Sequence, residues 1–414
     1  MGSLQLIDNV EAWVEAIPKD WRRVQLKHVV VKLNRMFEED APIVICTNKG
    51  TVDFRGENNP GLVSLTGNGY QGVEPGDLLI HGMDTWHGAI AVSGISGQCT
   101  SVVHVCDSLQ NKRFIAYYLR ALSFRGVYKA FSNGVRQNTS DFRSWAKAGE
   151  IPIILPPREV QDRIANYLDE KCAEIDRAVD AADKSIEEYK AYRNSVILQA
   201  VTKGLDPDAH MRDSGIEWLG KVPKGWEILE QKWLMRKVKR ICAKWSGESV
   251  LSLTTAGVII RDVESGKGKF PATFDGYQYI SSGNLVLCLF DIDVTPRCVG
   301  LAECDGVISP AYSQYEMLEG ANSRYYNYYL RAIDDRKLYL GLTSTLRHSL
   351  TPDLFGQIKA VRPPLDEQLK IADFLDAKCL EIDRAIYAKQ SIIEDLKAYK
   401  QSLIFEVVTG KREV

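Results

Sequence analysis

Two long stretches of the chain repeat apolar residues at alternating spacings of three and four positions. A heptad-like pattern sustained over several turns is typical of a coiled coil. We therefore predict two long helices, over residues 158–203 and 365–410, that pack along one apolar stripe each. The predicted packing seam consists of Ile164, Leu168, Ile175, Ile186, Ile371, Leu375, Ile382 and Ile393.

The ends of both helices carry start and stop signals. Each stretch begins after a Pro-Pro pair, at Pro156-Pro157 and Pro363-Pro364, and acidic residues follow in the first turn. Proline fits a helix start but not its interior, and acidic side chains complement the helix dipole there. Gly204 and Gly410 lie where each helix is expected to stop.

The regions before each long helix alternate between short apolar runs and turn residues, which indicates strands. Amphipathic helices are predicted near 111–122 and 323–333, where Tyr and Arg recur at helical spacing. We interpret these as packing residues with solvated polar ends. The predicted strands are 41–46, 77–82, 89–94, 100–106, 257–263 and 284–290.

The chain repeats itself, and this is its strongest signal. The segment that begins at Pro156 aligns without a gap to the segment that begins at Pro363, 207 positions later. A second block, DNVEAWVEAIPKDW at 8–21, matches DSGIEWLGKVPKGW at 213–226. A third match pairs AYYLRAL at 116–122 with NYYLRAI at 327–333. One frame that presents two different surfaces explains this pattern, although a purely structural duplication is an alternative.

The pattern predicts a mixed α+β fold with a pseudo-twofold internal duplication. Two globular domains, formed by the variable regions, would be separated by two long antiparallel coiled-coil helices. The predicted order is an N-terminal block over 1–21, a first domain over 22–157, a spacer helix over 158–203, a linker block over 204–226, a second domain over 227–364 and a second spacer helix over 365–410.

Composition places few limits on function. The net charge is −2, but the two variable regions are slightly basic while the helices are neutral to acidic. Modestly basic modules on an acidic frame are compatible with DNA binding. The nine Cys and six His are scattered without metal-site spacing, so we expect reduced thiols and no metal site. The sequence also shows no secretory signal and no membrane span, which predicts a cytoplasmic protein.

Candidate DNA-reading residues lie in polar loops of both variable regions. Arg, Gln and Asn side chains read guanine and adenine edges through paired hydrogen bonds. Ordinary solvated loops are the alternative for any single residue. The candidates are Trp86, His87, Arg136, Gln137, Asn138, Arg297, Ser344, Thr345, Arg347 and His348.

Motifs of common enzymes are missing or incomplete. GNGYQG at 67–72 fits a dinucleotide-binding spacing, but a helix would have to begin there and VEPGD follows instead. RPPL at 362–365 and SPAY at 309–312 lack the Asp or Asn that starts the motif of amino-methyltransferases. No phosphate-binding P-loop and no nucleophile-base arrangement stands out. We therefore expect no catalytic residue and no cofactor on this chain.

Taken together, these features make the chain resemble the specificity subunits of type I restriction-modification systems. The residues that carry the resemblance are RDSGIEWLGKVPKGW at 212–226, LPPREVQDRIANYLDEKC at 155–172 and RPPLDEQLKIADFLDAKC at 362–379, together with the duplication itself. The resemblance covers essentially the full chain. The first helix departs from the second at Val160, where the second has Glu367, and the N-terminal block is degenerate.

The resemblance implies that each recognition domain reads one half of a bipartite, asymmetric DNA site, and that the helices set the gap between the halves. It also implies two methyltransferase subunits, which bind S-adenosylmethionine and methylate adenine, and restriction-translocase subunits that use ATP and Mg²⁺. The chain itself would then be a non-catalytic, DNA-binding subunit. Two alternatives are a stand-alone DNA enzyme and a bivalent scaffold that binds only proteins.

Overall fold

The computed structural model describes residues 17–36, 38, 40–56, 69–128, 142–263, 271–343 and 348–414. Its internal contacts divide the chain into two compact units. Unit 1 comprises Met1–Asp183 and Gln390–Val414, and unit 2 comprises Lys184–Lys389. Each unit therefore contains the start of one long helix and the end of the other.

The helical segments follow the periodicity of the sequence closely. The helices are α1 Lys112–Phe124, α2 Trp145–Ala148, α3 Arg158–Lys203, α4 Ser323–Asp335, α5 Pro352–Gln357 and α6 Leu365–Val408. The predicted helix over 158–203 is confirmed. The helix predicted over 365–410 ends two residues earlier than predicted, at Val408. Gly204 follows α3 with a φ of +77°, a left-handed conformation that glycine adopts at low cost.

Unit 1 is built around a four-stranded antiparallel sheet with strand order β2-β9-β6-β7, against which α1 packs. Three two-stranded pairs accompany it: β1-β10, β3-β4 and β5-β8. The strands are β1 Arg22–Gln25, β2 Val31–Lys32, β3 Val44–Cys46, β4 Val52–Phe54, β5 Tyr70–Val73, β6 Leu78–His81, β7 Ile90–Val92, β8 Gly97–Thr100, β9 Val103–Asp107 and β10 Pro152–Leu155. The strand predicted over 100–106 was wrong in one respect, because a turn at Ser101 and Val102 divides it between β8 and β9.

Unit 2 repeats this plan strand for strand. Its four-stranded sheet has the order β14-β21-β18-β19, and the pairs are β13-β22, β15-β16 and β17-β20. A further pair, β11-β12, lies in the linker block. The strands are β11 Met211–Asp213, β12 Lys221–Pro223, β13 Glu227–Glu230, β14 Met235–Val238, β15 Leu251–Thr254, β16 Gly257–Ile260, β17 Gln278–Ile280, β18 Leu285–Leu287, β19 Val299–Leu301, β20 Gly306–Ile308, β21 Ser313–Met317 and β22 Lys359–Arg362.

Within unit 1, the α3 and α6 segments run antiparallel. Lys400 pairs with Asp176 at 2.6 Å, while Arg412, further along the chain, lies close enough to Tyr167 for the two to interact electrostatically. A later residue at the end of α6 therefore lies near an earlier residue of α3. This is the arrangement expected of two antiparallel helices.

Unit 2 shows the same reversal independently. Arg193 of α3 pairs with Asp383 of α6, whereas Gly204, just beyond the end of α3, abuts Glu367 in the first turn of α6. Arg193 and Asp383 stand 207 positions from Lys400 and Asp176 respectively, so the same ion pair occurs once in each unit. The internal duplication predicted from the sequence therefore extends to the packing of the helices.

All eight predicted seam residues are buried, with exposed fractions of 8% or less. They do not pack only on each other. Ile164 and Leu168 belong to the same apolar core as Phe114 and Leu119 of α1. In unit 2, Ile371 and Leu375 share a core with Leu330 of α4. The ends of the long helices are thus part of the globular domains.

Candidate nucleic-acid interface

The described ends of the predicted loop groups meet in pairs, one pair in each unit. In unit 1, the backbone N–H of Phe142 donates to the carbonyl of Gly82 at 3.0 Å. In unit 2, the N–H of Leu350 donates to the carbonyl of Leu289 at 2.8 Å. In each unit, this bond joins two segments. One is the loop that follows β6 or β18, and the other is the segment between the domain helix, α1 or α4, and the last strand of the domain, β10 or β22. The sequence did not show that these loops meet.

The unit 1 loop carries Trp86 and His87 in a single 3-10 turn, Thr85–His87, closed by Gly88 with a φ of +81°. The His87 side chain is about half exposed, and Trp86 is partly exposed. An aromatic ring and an imidazole at the tip of a short turn can reach a ligand without disturbing the sheet below.

Two buried histidines hold the base of this loop pair. His81 Nδ1 accepts a hydrogen bond from the N–H of Asp84 at 3.0 Å, which fixes the turn. His104, on the neighbouring strand β9, bonds through Nε2 to the carbonyl of Phe142 at 2.6 Å. Burial lowers the pKa of both imidazoles, so both favour the neutral form. Unit 2 has Cys288 and Ser313 at the equivalent positions, so this arrangement belongs to unit 1.

In unit 2, Arg297 is already engaged. Its side chain is 12% exposed and pairs with Asp335 at 2.7 Å and with Asp334 at 3.6 Å. A base contact by Arg297 would have to replace these ion pairs. The structure therefore shows a packing role for this side chain, and its DNA contact stays a prediction.

His348 lies in a strained segment of the unit 2 loop pair. It has a φ of +43°, its Nδ1 lies 3.1 Å from the Thr343 hydroxyl, and its carbonyl accepts from the N–H of Ile292 at 3.3 Å. Asp291, beside Ile292, also has a positive φ of 48°. Left-handed non-glycine residues cost about 1–3 kcal/mol and occur preferentially at functional sites. The remaining predicted residues, Arg136, Gln137, Asn138, Ser344, Thr345 and Arg347, lie outside the described residues.

Sequence reasoning missed the junction that fixes each recognition domain to its long helix. In unit 1, Arg113 of α1 bonds Asp169 and Asn166 of α3, and the Tyr117 hydroxyl donates to Asp169 at 2.8 Å. These are charged and polar contacts between a domain helix and the spacer.

Unit 2 reproduces this junction. Arg324 of α4 bonds Asp373 at 2.7 Å and Asp376 of α6 at 2.5 Å, and the Tyr328 hydroxyl donates to Asp376 at 2.8 Å. The signal was available in the AYYLRAL and NYYLRAI match. The interpretation of these helices as packing residues with solvated ends was wrong for Arg120, which is only 8% exposed.

A basic segment follows the edge of the unit 2 sheet. Residues 236–244, which begin in the edge strand β14, contain five Lys or Arg and no acidic residue. Arg236 and Arg240 both pair with Glu316 of the adjacent strand. Lys237 in β14 and Lys239 just after it are exposed, and their side chains form no hydrogen bond or ion pair with any residue that the structure describes. Exposed lysine side chains without a partner at a sheet edge are suited to phosphate contacts.

Metal sites and membrane-spanning helices are missing from the described part of the chain. It contains no group of three or more His, Cys, Asp or Glu side chains placed to hold a metal ion. None of its helices combines the length and apolarity needed to cross a membrane. Where the GNGYQG motif would require a helix, Tyr70–Val73 forms a strand.

The fold matches solved structures over nearly the whole chain. A chain from a structure described as "Structural basis underlying complex assembly and conformational transition of the type I R-M system" superposes with a TM-score of 0.70 at 13% identity, covering 96% of this chain and 100% of that one. The HsdS subunit from Thermoanaerobacter tengcongensis gives 0.48 at 14% identity, with coverage of 96% and 98%. The type I restriction-modification S subunit from M. genitalium gives 0.37 at 11%, with 94% and 96%.

No family model matches the chain. We base the fold assignment on the first structure, whose TM-score is well above that of an unrelated fold and whose full length is covered. The duplicated domains, the long helices and the resemblance at 155–172, 212–226 and 362–379 agree with it. The chain therefore shares the fold of that chain from the type I R-M system structure.

Proposed function

We propose that this chain is the DNA-specificity subunit of a type I restriction-modification complex. Each recognition domain reads one half of a bipartite, asymmetric site. The observation that carries the proposal is the paired loop arrangement, which occurs once per unit on the same hydrogen bond, Phe142 to Gly82 and Leu350 to Leu289. A constant frame that presents two loop pairs of different sequence is suited to reading two different half-sites.

Base reading is assigned to the two loop pairs. In unit 1 these carry Trp86 and His87 together with Arg136, Gln137 and Asn138. In unit 2 they carry Arg297, Ser344, Thr345, Arg347 and His348. Arg, Asn and Gln give the bidentate contacts that distinguish guanine and adenine in the major groove. Phosphate contacts position the domains, and Lys237 and Lys239 are proposed for this role in unit 2.

The long helices are proposed to set the gap between half-sites. The junctions support this idea, because Arg113 and Arg324 tie their domain helices to α3 and α6 by charge-assisted bonds. A domain fixed to its helix at several points keeps its loop pair at a defined place along the helix. A fixed distance between loop pairs would translate into a fixed number of unread base pairs.

Chemistry is proposed to reside on other subunits. Two methyltransferase subunits would bring S-adenosylmethionine and methylate adenine, and restriction-translocase subunits would bring ATP and Mg²⁺. The chain would bind double-stranded DNA without a cofactor of its own. This division accounts for the missing catalytic motifs in the sequence.

A methylome tests the proposal. The chain is co-expressed with its neighbouring methyltransferase in a host that lacks DNA methylation, and modified bases are then sequenced. We expect a two-part motif with a fixed gap, methylated on adenine in both strands. A continuous short motif would refute the two-reader arrangement.

Two further controls separate the alternatives. Methyl transfer by the purified chain with S-adenosylmethionine alone would make it a stand-alone enzyme. No methylation, together with no DNA binding by the copurified complex, would favour a scaffold that binds only proteins.

A further inference from the structure

The two domain helices carry an equivalent arginine in different surroundings. Arg120 of α1 and Arg331 of α4 occupy the same place in the AYYLRAL and NYYLRAI repeat. Both side chains have a buried Nε without a hydrogen-bond partner among the described residues. The difference lies in what covers the rest of each guanidinium.

In unit 1, residues of the same domain cover the guanidinium of Arg120. A terminal nitrogen of Arg120 donates to the backbone carbonyl of Lys49 at 2.8 Å. Lys49 lies in the turn between β3 and β4, and the next residue, Gly50, packs directly on the guanidinium. The turn thus supplies the hydrogen-bond acceptor and also shields the Arg120 guanidinium from solvent.

In unit 2, the equivalent turn is too short to do this. The closing strand pair of the unit 1 hairpin is Cys46 with Val52, which leaves a five-residue turn over 47–51. In unit 2 the closing pair is Thr254 with Gly257, which leaves only residues 255–256. A pocket of about 500 Å³ remains between this turn and Arg331.

Charged side chains line the pocket: Arg297, Arg324 and Arg331 together with Glu303 and Asp376. Arg297 pairs with Asp335, and Arg324 pairs with Asp376, which also lines the pocket. The side chain of Arg331 forms no ion pair and no hydrogen bond with the residues that the structure describes, although Asp335 lies close enough to interact with it electrostatically. It faces the pocket with its donors unused.

We infer that this pocket binds an oxyanion, a phosphate or carboxylate group, on Arg331. The anion takes the place that the Lys49 carbonyl takes in unit 1, as an acceptor for hydrogen bonds from the Arg331 guanidinium. The volume of the pocket, about 500 Å³, is within the range of small-ligand sites. Burial and the nearby Arg297 and Arg193 lower the pKa of Arg331, which a bound anion would oppose.

Inorganic phosphate is the probe. It is titrated into the purified full chain at constant ionic strength, and binding is followed by the thermal unfolding midpoint and by the phosphorus resonance. A ligand that binds the folded chain raises the midpoint with concentration. Arg331→Gln is expected to weaken phosphate binding about tenfold or more, because it removes a charged hydrogen-bond donor.

Arg120→Gln is the matched control, because its guanidinium is already covered. It is expected to lower stability and to leave the phosphate response intact. Equal phosphate responses in the wild type and Arg331→Gln, or equal losses in both variants, would overturn the inference. Addition of duplex DNA identifies the source of the anion: displacement of phosphate indicates a backbone phosphate, and simultaneous binding indicates a free small molecule.

A second variant covers the case in which Arg331→Gln does not fold. Residues 255–256 are replaced by the TNKGT sequence of residues 47–51, which extends the turn to its unit 1 length. This graft places a backbone carbonyl over Arg331 without removing the arginine. We expect a folded chain that no longer responds to phosphate. A graft that folds and still binds phosphate as the wild type does would contradict the assigned pocket.

Discussion

Gln161 and Gln368 share two equivalent hydrogen bonds in the two units. Both side chains are fully buried in the first turn of a long helix. The Nε2 of each donates to a proline carbonyl five residues before it, at 2.8 Å in both units. The Oε1 of each accepts from the backbone N–H of the asparagine that caps the domain helix, Asn111 at 2.9 Å and Asn322 at 2.8 Å. One side chain thus ties helix start and domain helix together.

Replacement of either glutamine by leucine is expected to destabilise the protein. The change leaves at least a buried N–H and a buried carbonyl unpaired, at a cost of about 1–3 kcal/mol for each group. Urea denaturation of full-length Gln161→Leu and Gln368→Leu measures the loss. Lys190→Ala, which removes an exposed helix ion pair with Glu187, is the control and should cost about 0.5 kcal/mol or less. Leucine variants as stable as this control would show that the bonds do not hold the junction.

Gly50 is expected to tolerate no side chain. Its φ is +81°, and a Cβ there would overlap the guanidinium of Arg120. Gly50→Ala should therefore cost about 1–3 kcal/mol from backbone strain alone, in addition to the displacement of Arg120. Gly56→Ala is the matched control, because none of the residues that the structure describes lies within 4 Å of a Cβ built there and its φ is not positive. Thermal unfolding of both variants decides the point, and similar losses would contradict the covered arginine.

The buried His104 is expected to make stability depend on pH. Burial lowers its pKa in the folded state below the ordinary value of 6.5, so the unfolded chain binds the proton more readily. Stability therefore does not respond to this group above pH 6.5. It falls as the pH drops from 6.5 towards the folded-state pKa, by at most about 1.4 kcal/mol per pH unit for one proton.

His104→Gln keeps a donor for the Phe142 carbonyl and removes the titration, so its stability should fall less steeply below pH 6.5. Urea denaturation at several pH values on either side of 6.5 measures the slope. His28→Asn is the control, because that side chain is exposed. Parallel slopes for His104→Gln and the wild type would remove His104 as the cause. His81, whose pKa burial also lowers, contributes in the same direction.

The sequence predicted elements whose signals are local and missed pairings that are not. The heptads gave α3 its bounds of Arg158–Lys203, because each helical residue contacts neighbours three and four positions away. Nothing local shows that Arg22 pairs with Leu155 across the whole first domain. The contact of Gly82 with Phe142 is also between residues far apart in the chain, and it was missed for the same reason.

The residues of the candidate site divide in a similar way. Residue type and loop position pointed to Trp86 and His87, which the structure places at an accessible turn. The same reasoning pointed to Arg297, whose ion pairs with Asp334 and Asp335 depend on a helix 38 positions away. A side chain's partners in three dimensions decide whether its charge is available, and sequence distance hides them.

Lys237 in the edge strand β14 and Lys239 just after it are expected to contribute to DNA affinity through phosphates. Lys237→Ala and Lys239→Ala should each weaken binding by the methyltransferase complex similarly for all sequences. Each should also reduce the slope of log affinity against log salt by about 1. Fluorescence anisotropy at several salt concentrations measures the slope. Lys171→Ala, on α3 and paired with Glu174, is the control. An unchanged slope in the edge-strand variants would place the DNA elsewhere.

If each recognition domain reads one half-site, a substitution in one domain should impair recognition of that half-site only. Arg136→Ala is expected to relax or weaken recognition of one half-site only, and Arg347→Ala that of the other, because the two arginines belong to different domains. A lost bidentate base contact should cost about 1–3 kcal/mol. Binding of the methyltransferase complex to duplexes altered in one half or the other separates the effects. The double variant should lose the sum of both, since distant sites act additively. Equal weakening of both halves by a single substitution would mean that the two domains do not read DNA independently.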